Sequence, residues 1–157
     1  MANLLISEVL TNTGKKRGKA EKQKYLKDNY SVALITVLKG AWDPIVEWNL
    51  PKGVPPYVKD DAPIGHSPSS IHLEQKRLPY LVKGHPLAKG LSQSKVETMF
   101  ISMLESVHPD EADILIAMKD KAFTSKFGGV TKKMVAEVWP DLFSDMVLDD
   151  AIVDKAI

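Results

Sequence analysis

A chain of 157 residues fits one domain, and its 44% hydrophobic and 26% charged residues are the balance of a globular protein rather than a disordered one. A net charge of +1 selects no partner, and the absence of cysteine excludes a disulfide framework, a thiolate metal site and a thiol nucleophile. No run of about 18 apolar residues occurs, so no membrane span is expected. The opening MANLLISEVL is also too short an apolar run, too close to Glu8, to read as a secretory signal.

The chain opens with a predicted helix, Leu4 to Leu10, capped by Asn3 and broken by Thr11-Asn12-Thr13-Gly14. A polar helix runs from Lys19 to about Asp28 with Tyr25 and Leu26 as its anchors. Asn29 or Ser31 caps a third, whose apolar face is Val32, Leu34, Ile35 and Leu38. Gly40 should stop it, because glycine is a helix C-terminal signal and Asp43-Pro44 follows. Prolines 44, 51, 55, 56, 63 and 68 then define an excursion over residues 42–68. One short helical turn fits between Pro44 and Trp48, and Trp42, Ile45, Trp48 and Leu50 are expected to be buried. From Val58 to Ser70 the chain reads as a looser loop.

Ser69 or Ser70 caps a helix through Lys76 or Arg77, and Pro79 kinks or restarts it before Gly84. Ser92 caps a strong helix from Gln93 to Val107, with Val96, Phe100, Met103, Leu104 and Val107 at helical spacing. His108-Pro109-Asp110-Glu111 opens the next helix: proline suits its first turn, and the acids suit its positive end. Its apolar stripe, Ile114, Leu115 and Met118, leads into a basic segment and a Gly128-Gly129 turn. A last helix restarts at Val130 or Thr131 and buries Met134, Val135 and Val138. The core is expected to hold Trp42, Trp48, Phe100, Leu104, Leu115 and Trp139. No convincing alternating strand appears, so the fold class is all-α: a compact, multi-helix single domain over residues 1–140, with an acidic amphipathic tail at 141–157.

Charge is distributed unevenly along this frame. Six lysines and one arginine lie between Gly14 and Lys27 against the single acid Glu21, while five aspartates lie between Asp141 and Ile157 against Lys155. Lysines also flank the Gly-Gly turn. Two glycines there either reverse the chain with positive φ or let the backbone approach something closely. A helix start behind them presents unpaired N–H groups that suit a phosphate. A plain helical corner with solvated lysines is the competing reading.

Familiar catalytic patterns are missing. The histidines 66, 72, 85 and 108 are scattered, with no pair at metal spacing. Neither phosphate-binding glycine motif is present, nor is a G-x-S-x-G elbow. No cofactor and no metal are expected.

Two blocks carry a family resemblance: ISEVLTNTGKKRGKAEKQKYLKDN, residues 6–29, and ILIAMKDKAFTSKFGGVTKKMVAEVWPDLF, residues 114–143. A helix, a basic link and a lysine-rich helix, followed late in the chain by a helix, a glycine turn and a helix ending at Trp-Pro, resemble the helical N-terminal DNA-binding domain of ATP-dependent DNA ligases, phage type. The blocks Trp42 to Trp48 and Val107 to Ala112 also resemble those of similarly sized, uncharacterised proteins of tailed phages. The ligase likeness implies duplex DNA, possibly nicked, as partner, met through the phosphate backbone and minor groove. It implies contacts from Lys15, Lys16, Arg17, Lys19, Lys22, Lys126, Phe127, Gly128, Gly129, Thr131, Lys132 and Lys133. Ligases attach AMP to the lysine of a K-x-D-G motif; here Lys119-Asp120-Lys121 stands without one, so no enzymatic activity is expected. The alternative expectation is a protein-interaction adaptor, docking a replication or transcription protein through the acidic tail. The cytoplasm, of a host cell if phage-encoded, is the expected location.

Overall fold

In the computed structural model, which describes residues 4–145, helices α1 (Ile6–Lys15), α2 (Gly18–Asp28) and α3 (Val32–Trp42) open the chain. The short α4 (Ile71–Glu74) is continued by 3-10 turns over Gln75–Leu81 and Pro86–Ala88. Helices α5 (Gln93–Ser106), α6 (Pro109–Lys119), α7 (Phe123–Lys126) and α8 (Lys132–Val138) complete it. The fold is all-α: among the described residues the nearest thing to a sheet is one isolated antiparallel bridge, Trp48 to Val82. No described helix is long and apolar enough to cross a membrane.

Helix α6 organises the packing. It contacts α1, α3, α5 and α7, and every residue from Ile114 to Lys119 is buried. Each fully buried Leu or Ile contributes about 1.5–3 kcal/mol of apolar transfer free energy. Its first turn also holds the bundle together. The buried Glu111 carboxylate accepts the Ile6 N–H at 2.9 Å and the Ile71 N–H at 3.0 Å, so one side chain caps the starts of α1 and α4. Burial pushes this carboxyl above its ordinary value against those hydrogen bonds.

Two caps read from the sequence recur, and His108, expected only to open its helix, caps it as well. Ser31 accepts from Leu34 N at 3.0 Å, Ser92 from Lys95 N at 3.2 Å, and the His108 ring from Asp110 N at 3.1 Å. Several expected boundaries move. Helix α1 runs on to Lys15, because Thr13 turns its hydroxyl to Val9 O at 2.7 Å and stays helical instead of breaking the chain. Helix α3 passes through Gly40 to Trp42. There glycine serves close packing, not termination: an added Cβ would lie 2.5 Å from the Trp48 ring and 2.9 Å from Met118 Sδ. The Trp48 indole N–H donates to Gly40 O at 2.9 Å.

Pro44 to Trp48 forms no helix. Asp43 accepts the Ile45 N–H at 3.1 Å in a tight turn, which leaves Ile45 outward and 69% exposed. Trp48 is buried as expected, whereas Trp42, Leu50 and Trp139 only pack partly against the core. The helix begun at Ile71 tightens into a 3-10 segment that takes Pro79 inside it.

The stretch 141–145 is part of the body. Phe143 is fully buried, and Ser144 donates to Asp43 from its hydroxyl at 2.5 Å and its backbone N–H at 3.0 Å. The apolar residues expected to make an amphipathic tail, Val147, Leu148, Ile152 and Val153, lie outside the described residues.

Candidate nucleic-acid interface

The basic start of the chain and the Gly-Gly turn meet. Helix α2 packs on α8, and a cleft of about 300 Å³ opens between them. Gly18, Lys19 and Lys22 line one wall, and Gly128, Gly129, Thr131, Lys133 and Met134 line the other. Helix α2 suits this place because it is polar almost all round: Leu26 is its one buried residue.

Among the described residues, neither glycine of the turn has positive φ. Gly129 is there for approach. An added Cβ would sit 3.0 Å from Gly14 Cα and 3.4 Å from Lys22 Nζ. The partner of this close approach is therefore the chain's own α1–α2 link. Lys22 closes the junction by donating to Gly129 O at 2.8 Å. Gly128 is exposed, and an added Cβ would meet only Thr124 O at 3.8 Å, an ordinary contact. The turn itself is broken differently from a simple hairpin. Helix α6 ends at Lys119, Lys121 takes φ 56°, and the single turn of α7 intervenes before the glycines.

The expected contact residues fall into three groups. Lys15, Lys16, Arg17, Lys22 and Lys133 make no ion pair among the described residues; Lys16 lies over the Tyr25 ring at 4.6 Å. Lys19, Lys126 and Lys132 each face an acid: Glu137 at 2.6 Å, Asp113 at 3.8 Å and Asp145 at 2.7 Å. Lys132 also lies 5.5 Å over the Phe143 ring, on the side of α8 that meets the C-terminal stretch, and does not line the cleft. Phe127 and Thr131 work on the fold. Phe127 packs on Phe123 with ring centroids 4.9 Å apart, and Thr131 caps α8 by accepting from Met134 N at 3.2 Å.

Two participants escaped sequence reasoning. Gln23 donates to Met134 O at 3.1 Å and to Glu137 at 3.2 Å, and Glu137 binds Lys19. Hydrogen bonds from Lys19 and then Gln23 hold the Glu137 carboxyl below its ordinary value. Their partners lie more than a hundred positions away, so no local pattern announces them. Among the described residues no group of three His, Asp or Glu side chains is placed to hold a metal ion. No curated protein and no solved structure matches this chain. Residues 9–125, well over half of it, match the profile described as a family of unknown function (DUF6433), and the chain belongs to that family.

Proposed function

We propose that this chain is a non-enzymatic module that binds duplex DNA, intact or nicked, in phage DNA metabolism, within the host-cell cytoplasm. What supports the reading is the convergence of two basic stretches, about a hundred residues apart in sequence, on one cleft between α2 and α8. Lysines on both walls offer point charges to phosphates about a groove. Such contacts give affinity and position without reading bases. The order of elements, a helix, basic link and helix meeting a helix, glycine turn and helix, is the basis for proposing a ligase N-terminal-domain-like fold. Without a K-x-D-G lysine, incubation with labelled ATP should leave no AMP on the chain.

A gel shift on intact, nicked and single-stranded DNA over a salt series tests the reading. Wild type should bind duplexes of different sequence alike. Changing Lys15, Lys16 and Lys133 together to Ala should flatten the slope of log affinity against log salt by about 0.9 for each phosphate no longer neutralised, up to about 3. Wild-type affinity and slope in that variant, with an unchanged circular dichroism spectrum, would sink the proposal. The adaptor working through the acidic C-terminal stretch would then lead.

A further inference from the structure

We propose that Glu137 is a built-in phosphate mimic, a carboxylate that holds the anion position between α2 and α8 until a polyanion displaces it. The proposal rests on the DNA-binding reading above and goes beyond it. The Glu137 carboxylate engages Lys19 Nζ through both oxygens, at 2.6 and 2.8 Å. Gln23 Nε2 reaches one of the same oxygens at 3.2 Å. An ammonium and an amide N–H converging on two oxygens from one helix face are the donor set a phosphate would use.

As a clasp for the fold the pair is weak. Both side chains are about half exposed, and such pairs contribute little to stability. Gln23 also holds α8 directly through Met134 O, so the α2–α8 contact does not depend on the carboxylate. For binding, the consequence is direct. Lys19 lines the cleft but is already neutralised, and Glu137 repels an incoming phosphate. Lys126 and Lys132 face acids as well, but neither lines the cleft, and the Lys126 pair is stretched to 3.8 Å. Glu137 is the acid that sequesters a cleft lysine at close range. Binding is then an exchange of one anion for another, which keeps association weak and reversible.

The test is fluorescence anisotropy with a labelled duplex across a salt series, on wild type, Glu137→Gln and Asp61→Asn. Glu137→Gln keeps the shape and the Gln23 contact while freeing Lys19. It should tighten binding about two- to fivefold at low salt and steepen the salt slope by about 0.9. Asp61, an exposed acid of the proline-rich excursion, controls for net charge, and its replacement should change neither. In a Lys19→Ala background the gain from Glu137→Gln should shrink, because the two act as a pair. If wild type binds and Glu137→Gln binds equally or more weakly, the mimic falls and the DNA-binding reading stands. Equal tightening by Asp61→Asn also overturns it. Binding by neither wild type nor Glu137→Gln would remove both.

Discussion

Helices α2 and α6 have eleven residues each and opposite surroundings. Helix α6 is covered on nearly every side, down to Glu111 and Lys119, whose polar atoms find partners inside the protein. Helix α2 buries Leu26 alone and carries four lysines. The first is a scaffold that other helices close upon; the second is a surface held out by that scaffold. Two glycine contacts repeat the contrast. At Gly40 a Cβ would collide with a tryptophan ring and a methionine in the core, while at Gly129 it would press on an exposed link between helices. Residues that hold the fold and residues that form the candidate interface are thus largely separate sets, and substitutions should separate them.

The largest effect belongs to the scaffold. Leu115→Ala or Leu104→Ala, both fully buried, should cost about 2–5 kcal/mol in urea unfolding while leaving any DNA affinity of the folded protein intact. A cost under about 0.5 kcal/mol for Leu115→Ala would contradict the central place of α6, and for Leu104→Ala that of the α5 face packed on it.

Next comes Asp43, where the C-terminal stretch is fastened. Burial alone would raise this carboxyl. Hydrogen bonds from Lys39 and from Ser144, through hydroxyl and backbone, and the Ile45 N–H instead hold it well below the usual carboxylate range. Its folded value is below its unfolded one, about 4. The stabilisation is therefore present above pH of about 4 and is lost as pH falls further toward the folded value. Glu111 has the opposite sign: its raised carboxyl stabilises below the unfolded value and loses that contribution as pH rises through the folded one. Asp43→Asn should cost about 1–3 kcal/mol at neutral pH and flatten the acid side of the stability profile. An acid limb as steep as wild type would show that Asp43 is not the acid-sensitive fastening.

Most of the longer helices and the Ser31 and Ser92 caps were legible, because they depend on neighbours: each serine accepts a backbone N–H three residues on, whereas Ser70 stands at the start of α4 without a side-chain cap bond. What misled were residues whose local signal was overruled at a distance. Gly40 reads as a helix stop until Trp48 and Met118 are seen packed on it. Thr11 to Gly14 read as a break until Thr13 bonds back to Val9. The two basic stretches were visible in sequence. That Lys132 and Lys133, adjacent in the chain, face different neighbours of α8 was not, because helical position relative to α2 and Phe143 decides it.

That last pair supplies the smallest and most pointed prediction. Lys133 lines the cleft, exposed and without an ion pair among the described residues. Lys132 is partly buried and bonds Asp145 at 2.7 Å. Lys133→Ala should leave stability within about 0.5 kcal/mol of wild type. It should weaken duplex binding and flatten the salt slope by about 0.9, the share of one phosphate. Lys132→Ala should do the reverse: a small loss of thermal stability, because Asp145 and Phe143 lose their cation, with the salt slope unchanged. Both effects are read from the same two purified variants by anisotropy and thermal unfolding. If Lys132→Ala flattens the slope as much as Lys133→Ala does, the interface extends around α8 toward Asp145, and the separation between fold-holding and surface residues ends there. If neither alters binding, α8 contributes shape and not charge, and the affinity must reside in the basic stretch from Lys15 to Lys22.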